Sequence, residues 1–358
     1  MFHIKNRILG LVTLLIAALS LSSCGNPAQG SSVGAAQRDN DEAITLRYAF
    51  FAPEQSFPSV QMQEWADRLH DRTDGQVEVE LFVGGTLLGA GDIYDGVSQG
   101  VVDIGLDSPA YDTGRFPFSS VINLPSDIES SQVASQTFLD LLTEFEPSEF
   151  NDFQIITAFT TEPAYIQSIN PVESRQDING MSLRSAGTGV PMQQDLGASP
   201  VSLPMSDVAE SMGTGVVSGY VSSREVMQDF GLAENINYVT DYPFGISNSF
   251  VAVMDQERFE QLPKDVQNEI MNLREEMTLF ASQYHDKENV QPALEEAEKE
   301  HGVETIQLGQ EEEEAWDQLG EAQTAAWLDE HADADFNARQ TVERMHQLID
   351  QYSSENSS

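Results

Sequence analysis

Asp74-Gly-Gln-Val-Glu-Val-Glu-Leu-Phe-Val-Gly-Gly-Thr-Leu-Leu-Gly89 decides the fold. Val77, Val79, Leu81 and Val83 alternate strictly with other residues, as in a strand with one polar face. Thr73-Asp74-Gly75 supplies the turn before it, and Gly84-Gly85 ends it. Upstream, Met62, Trp65, Ala66 and Leu69 sit at i, i+3, i+4 and i+7, the spacing of a helix opened by Pro58 and Ser59. Further upstream, Ile44 to Phe51 is a run of strand formers. Downstream, Ile93 and Val97 share a short helix face, and Val101 to Leu106 is a third strand. Strand, helix, strand, helix, strand in that order predicts an α/β domain with parallel pairing.

The pattern continues. Gln132 to Phe145 reads as an amphipathic helix and Phe153 to Phe159 as a strand. A second α/β series runs from Tyr165 to Tyr242, with strands near 165–169, 181–184, 201–203, 216–221 and 238–242. Helices at 190–196, 207–212 and 225–232 lie between them. Phe250 to Met254 reads as a strand returning to the first series. Two α/β lobes joined by two or more chain crossings predict a hinged clamshell with a ligand cleft between them. The expected division is 43–160 plus 248–265 for the first lobe and 161–247 for the second. Residues 266–358 supply helices packed on both lobes. The long helix Asp265 to Glu288 is the expected brace, with Pro292 kinking or ending it. Glu311 to His331 and Phe336 to Ile349 form two more helices.

The N-terminus carries compartment signals. Lys5 and Arg7 precede an apolar run from Ile8 to Leu21, too short to span a bilayer of ~20 residues but suited to the core of a secretory signal. The run ends in Leu21-Ser-Ser-Cys24-Gly, which resembles a bacterial lipobox. Residues 1–23 are therefore read as a signal peptide, Cys24 as a lipidated first residue, and 24–42 as a flexible tether. Cys24 is the only cysteine of the chain, which excludes an intrachain disulfide. The expected location is periplasmic or cell-surface, with the membrane touched only through the lipid.

Composition narrows the function classes. In this chain of 358 residues, 17 basic against 59 acidic residues leave a formal charge of −42. Such a chain is repelled by nucleic acid and by anionic membranes. With 40% hydrophobic residues it is nevertheless a folding sequence. The acid load suits a surface working in concentrated salt. It is densest at the end: Cys24 to Phe250 holds 8 basic and 32 acidic residues, and Val251 to Ser358 holds 7 and 27. None of the six histidines pairs at metal-ligand spacing, so no metal or cofactor is expected. No G-x-S-x-G elbow is present, and the Gly84–Gly91 turn lacks the Lys-Ser/Thr of a phosphate loop. The residues give no positive support to an enzyme.

Several segments, in order, resemble the solute-binding proteins of tripartite ATP-independent periplasmic (TRAP) transporters. They are Leu46-Arg-Tyr-Ala-Phe-Phe-Ala-Pro-Glu-Gln55, the quoted 74–89 stretch, Gly100-Val-Val-Asp-Ile-Gly-Leu-Asp-Ser-Pro-Ala-Tyr111 and Tyr111-Asp-Thr-Gly-Arg-Phe-Pro117. Ile178-Asn-Gly-Met-Ser-Leu-Arg184 and Leu196-Gly-Ala-Ser-Pro-Val-Ser-Leu-Pro-Met-Ser-Asp-Val208 complete the set. The resemblance implies capture of a small organic acid between the lobes and delivery to membrane permease subunits driven by an ion gradient. Arg184 falls on the family's carboxylate-clamping arginine, and its planar fork of donors matches a carboxylate. A structural ion pair is the plain alternative in so acidic a chain. The family position at Asp107 and Ser108 often contacts ligand. Gly219-Tyr-Val-Ser-Ser-Arg-Glu225 occupies the place where many relatives carry Asp-Gly-x-Glu-Asn-Pro; Ser218 stands in place of its Asp and Ser222 where its ligand-contacting Asn would be. Tyr111, Tyr220 and Phe244 are candidates for the cleft wall or for core packing. A zwitterion is an alternative ligand, its cation facing Asp107 or Glu225. A binding protein of an ATP-driven (ABC) importer, a sensor subunit and a secreted hydrolase are the rival classes.

Overall fold

The computed structural model describes residues 43–356, apart from 113, 129 and 188. The signal, lipidation and tether readings at 1–42 fall outside the described residues.

The strands are β1 (Ile44–Ala49), β2 (Val77–Phe82), β3 (Ile104–Asp107), β4 (Phe153–Thr160), β5 (Tyr165–Ser168), β6 (Ser182–Ser185), β7 (Ser199–Ser202), β8 (Gly219–Ser222), β9 (Tyr238–Thr240), β10 (Ser249–Asp255) and β11 (Glu304–Ile306). The helices are α1 (Phe57–Arg72), α2 (Ile93–Ser98), α3 (Ser131–Phe145), α4 (Arg175–Ile178), α5 (Gly189–Leu196), α6 (Val208–Gly213), α7 (Val226–Asp229), α8 (Gln256–Gln261), α9 (Lys264–Tyr284), α10 (Val290–His301), α11 (Gln310–Glu330) and α12 (Ala338–Asn356).

The strands form two sheets, the two lobes of a clamshell. The first has the order β2-β1-β3-β10-β4 and the second β11-β9-β5-β8-β6-β7. β1 pairs parallel with β2 and β3, with Ile44 opposite Val77 and Tyr48 opposite Leu81. β10 returns antiparallel between β3 and β4. In the second sheet β6 is parallel to β7 and β8, while β5 is antiparallel to β8 and β9. Each sheet is covered on both faces, as parallel strands require. Leu46 and Tyr48 face a core with Trp65, Ile270 and Met277 of α1 and α9. Ala49, Val251 and Val253 face another with Phe138 of α3 and Met345 of α12. The second sheet divides likewise, Tyr165 and Tyr220 on one side and Ile166 and Val221 on the other.

The chain passes between sheets at 161–164, at 241–248 and again within the long helix. α9 packs on the first sheet through Val266, Ile270, Leu273, Met277 and Ala281. A single π-turn, His285–Asn289, leads into α10, whose Ala297 joins the core of the second lobe. The brace is therefore longer than the expected Asp265 to Glu288. Pro292 does not end it: it is the third residue of α10, where a missing N–H is tolerated. α11 makes a second brace. Its Trp316 packs in the second lobe with Tyr242 and Phe244, while its Trp327 packs in the first with Phe336. Three-residue β11, on the edge of the second sheet, lacks any periodic signal and was not expected from sequence. The expected helix 225–232 is one turn only, ending before Gly231, whose φ is +63°.

Trp316 has no exposed surface. Trp316→Ala should cost about 3–5 kcal/mol, the usual loss for a buried tryptophan. Urea unfolding followed by circular dichroism checks this; a loss under ~1 kcal/mol would contradict the packing described.

Candidate functional site

Between the lobes lies a cleft with about 760 Å³ of empty space, its open mouth included. It sits off the carboxyl ends of β1, β6 and β8, where side chains are presented but the sheet no longer fills the space. Phe50, Phe51, Tyr111 and Phe250 come from the first lobe. Arg184, Ser185, Met205, Ser222, Ser223, Glu225, Asp229 and Phe230 come from the second, and Phe244, Ile246, Ser247 and Asn248 from the crossing segment. The wall is thus largely aromatic, with a few polar groups, the usual make-up of a small-molecule site.

Arg184 supplies the only buried cationic group of that wall among the described residues. It is third in β6 and is 3% exposed. Its Nε donates to the Leu203 carbonyl at 2.9 Å, which fixes the plane of the guanidinium. Its Nη2 donates to the Tyr111 hydroxyl at 3.4 Å, across the cleft from the other lobe. Among the described residues no carboxylate lies within 4 Å of it, whereas Arg47, Arg68, Arg72, Arg115, Arg224, Arg258 and Arg344 each hold an acid. The structural ion pair weighed from sequence is absent there. Its remaining donors are free for a ligand.

Another stretch of the cleft wall is acidic. Glu225, also 3% exposed, accepts from the Ser223 hydroxyl at 2.8 Å through Oε1. Its Oε2 has no hydrogen-bond partner. Burial, then the charges of Asp229 and Glu162, push its carboxyl well above the usual range. Asp229, one turn on, accepts from the Phe57 N–H at 3.3 Å and from Asn289 Nδ2 at 2.9 Å. Burial pushes it up to about 7, against the pull of those two hydrogen bonds. His285 of the π-turn lies 3.6 Å from Glu225 Oε2. Its Nε2 accepts from the Glu162 N–H at 3.3 Å, and burial holds its pKa down to about 3, so it is neutral. Glu162 itself is taken by Arg224 in a two-pronged pair at 2.9 and 2.6 Å.

Of the eight cleft residues expected from sequence, the structure brings together Arg184, Tyr111, Ser222, Glu225 and Phe244. Ser222 shares a contact of 3.3 Å with Ser247, and Phe244 packs edge-on to Tyr242 at 5.2 Å and tilted against Trp316 at 5.5 Å. Two expectations need correction, Asp107 and Ser108, and Tyr220 takes the core-packing alternative. Asp107 does not line the cleft: its carboxylate turns back to accept from the N–H groups of Gly91 and Ser108 at 2.9 and 2.8 Å. It thereby ties down the glycine turn before α2, and burial pushes it up to about 7. Ser108 lies behind the wall, hydrogen-bonded to Asn248 Oδ1, which does face the cleft. Tyr220 has its ring in the core with Val226 and Val239. Sequence reading missed Phe57, Asn248 and Asp229; only Phe57, at the start of α1, had a position that hinted at it. Among the described residues no group of His, Cys, Asp and Glu is arranged to hold a metal ion.

Asp107, Asp229 and Glu149 are raised to about 7 and Asp286 to about 6. The folded state therefore binds these protons more tightly than the unfolded chain. Their burial costs nothing below about pH 4 and its cost grows as pH rises to about 7. His285 acts in the opposite direction, only below 6.5. Melting temperature should fall as pH rises toward about 7 and level off above it, and Asp229→Asn should flatten that fall. An unchanged slope in this variant would contradict the burial described for Asp229.

Residues 49–330 match the bacterial extracellular solute-binding proteins of family 7 (DctP). A solute-binding protein of Roseobacter denitrificans is 25% identical over 64% of this chain and 72% of its own length. Among solved structures, a TRAP periplasmic solute-binding protein from Desulfovibrio salexigens is 34% identical, with a TM-score of 0.77 over 87% of this chain and 97% of that one. A marine metagenome TRAP solute-binding protein specific for aromatic acid ligands is 26% identical, with a TM-score of 0.81 over 86% and 99%.

Proposed function

The chain belongs to the family 7 bacterial extracellular solute-binding proteins, the TRAP type, and on that premise we propose that it captures a small organic carboxylate on Arg184 and delivers it to a membrane permease. One observation carries the reading: a buried guanidinium faces the cleft with no carboxylate of the described chain beside it. A carboxylate ligand completes that pair. Two parallel charge-assisted hydrogen bonds in a desolvated site select for planar geometry as well as for charge. The aromatic wall favours a ligand with an apolar body, consistent with the aromatic acids bound by the marine relative.

Capture proceeds by closure. Tyr111 comes from one lobe and Arg184 from the other, so a ligand touching both favours the state in which they are close. The hinge is formed by 161–164, 241–248 and the π-turn 285–289, the places where backbone passes between the sheets. The family's members are solute-binding proteins and not enzymes.

Arg184→Ala should weaken carboxylate binding by at least ~100-fold, since deleting one partner of a buried charge pair costs about 3–5 kcal/mol. Arg184→Lys should restore only part, because a point charge lacks the fork. Titration calorimetry reads both, with circular dichroism as the fold control. Unchanged affinity in Arg184→Ala would remove the residue from this role.

The proposal extends to export and anchoring. The apolar run Ile8 to Leu21 and the Leu21-Ser-Ser-Cys24 motif support cleavage before Cys24 and attachment of lipid to its thiol. Cys24→Ser should move the protein from the membrane fraction to the soluble fraction. Retention in membranes would sink the anchor.

A further inference from the structure

Two stretches of the cleft wall carry opposite electrostatic demands. On one, Arg184 is a buried cation without an acid. On the other, Glu225 and Asp229 are buried acids without a cation. Every charged or titratable group found around Glu225 has another engagement or is neutral. Arg224, its chain neighbour, is held by Glu162 at 2.6 Å and lies over the Tyr165 ring. His285, on the π-turn, is neutral and already accepts a hydrogen bond. Asp229, on the next turn, is itself acidic. Glu225 lines the cleft, and its Oε2, 3.6 Å from the neutral His285 ring, has no hydrogen bond. The Phe57 ring packs on His285 at 4.4 Å and also lines this stretch, so an aromatic face stands beside the acids.

We propose that this acidic stretch receives a positively charged nitrogen, so that the ligand is a zwitterion with its carboxylate on Arg184 and its ammonium-type group on Glu225. This deepens the carboxylate reading and rests on it. A cleft wall with an unpaired cation and unpaired acids favours a dipolar ligand, because Arg184 then gains a counter-charge and Glu225 a cation against which to ionise. The neighbouring aromatic rings add attraction for an alkylated nitrogen.

The proton balance is explicit. Burial pushes the Glu225 carboxyl well above the usual carboxylate range, so it holds its proton more tightly than a free side chain does. When the cation docks, the O–H bond of Glu225 breaks, the carboxylate pairs with the nitrogen, and the proton passes to solvent. Proton and ligand compete, so affinity for the zwitterion rises with pH. A simple carboxylate leaves that proton in place.

The test uses isosteric pairs that differ only in charge: glycine betaine with 3,3-dimethylbutanoate, 4-(trimethylammonio)butanoate with 5,5-dimethylhexanoate, and 4-(aminomethyl)benzoate with 4-ethylbenzoate. Calorimetry at pH 7 in buffers of different ionisation enthalpy gives both affinity and protons released. The expected result is at least ten-fold tighter binding of the cationic member in one pair or more, with about one proton released. Glu225→Gln should abolish both the preference and the release. Equal or tighter binding of the uncharged member in every pair overturns the inference. So does a preference that survives Glu225→Gln. In both cases carboxylate capture stands if Arg184→Ala still abolishes binding. If no member of any pair binds, carboxylate capture itself fails and this inference falls with it.

Discussion

A buried guanidinium held by a carbonyl and a phenol is the constraint on which the cleft depends. Arg184 gives one donor to Leu203 and one to Tyr111, and among the described residues meets no acid. In a chain of net charge −42 that isolation is a structural achievement. Bringing any acid beside Arg184 would fill the site from within. The acids are instead spent elsewhere: Glu162 on Arg224, Asp103 on Arg47 and Arg258, Glu144 on Arg344. Salt in the surrounding solvent further weakens the general negative field, while a desolvated pair inside the cleft is screened much less.

The fold holds this group at a strand end and leaves the lobes able to move. Arg184 is on β6 of the second sheet, and Tyr111 follows β3 of the first. Few backbone segments join the sheets, and one is a π-turn in an otherwise continuous helix. The turn carries His285, which receives the N–H of Glu162 from a second joining segment. Asn289 of the same turn holds Asp229 on the cleft wall. The acidic stretch of the site is thus built directly on hinge backbone.

Much of this was legible in the sequence, for identifiable reasons. The alternation from Val77 to Val83 and the spacing of Met62, Trp65 and Leu69 report burial on one face, and burial is what a strand or helix repeats. Arg184 was legible through its motif position. Asp107 and Arg184 are both strand-end residues, yet only one faces the cleft. The difference lies in tertiary neighbours: the amides of Gly91 and Ser108 turn the Asp107 carboxylate away, whereas Leu203 and Tyr111 engage only two of the Arg184 nitrogens. Asp229 was illegible because its partner, the Phe57 N–H, is 172 residues away. β11 was illegible because three residues carry no period.

The central claim is that carboxylate pairing with Arg184 closes the two lobes. A label on each lobe measures it most directly. Leu87 and Val216 are exposed, at 41% and 53%, one in each lobe. With Cys24 replaced, the pair Leu87→Cys and Val216→Cys gives two unique labelling sites. The distance distribution between spin labels there should narrow and shorten when a bound carboxylate saturates the protein, and should stay at its free value in Arg184→Ala under the same conditions. A distribution that does not change while calorimetry shows the carboxylate bound would contradict the account.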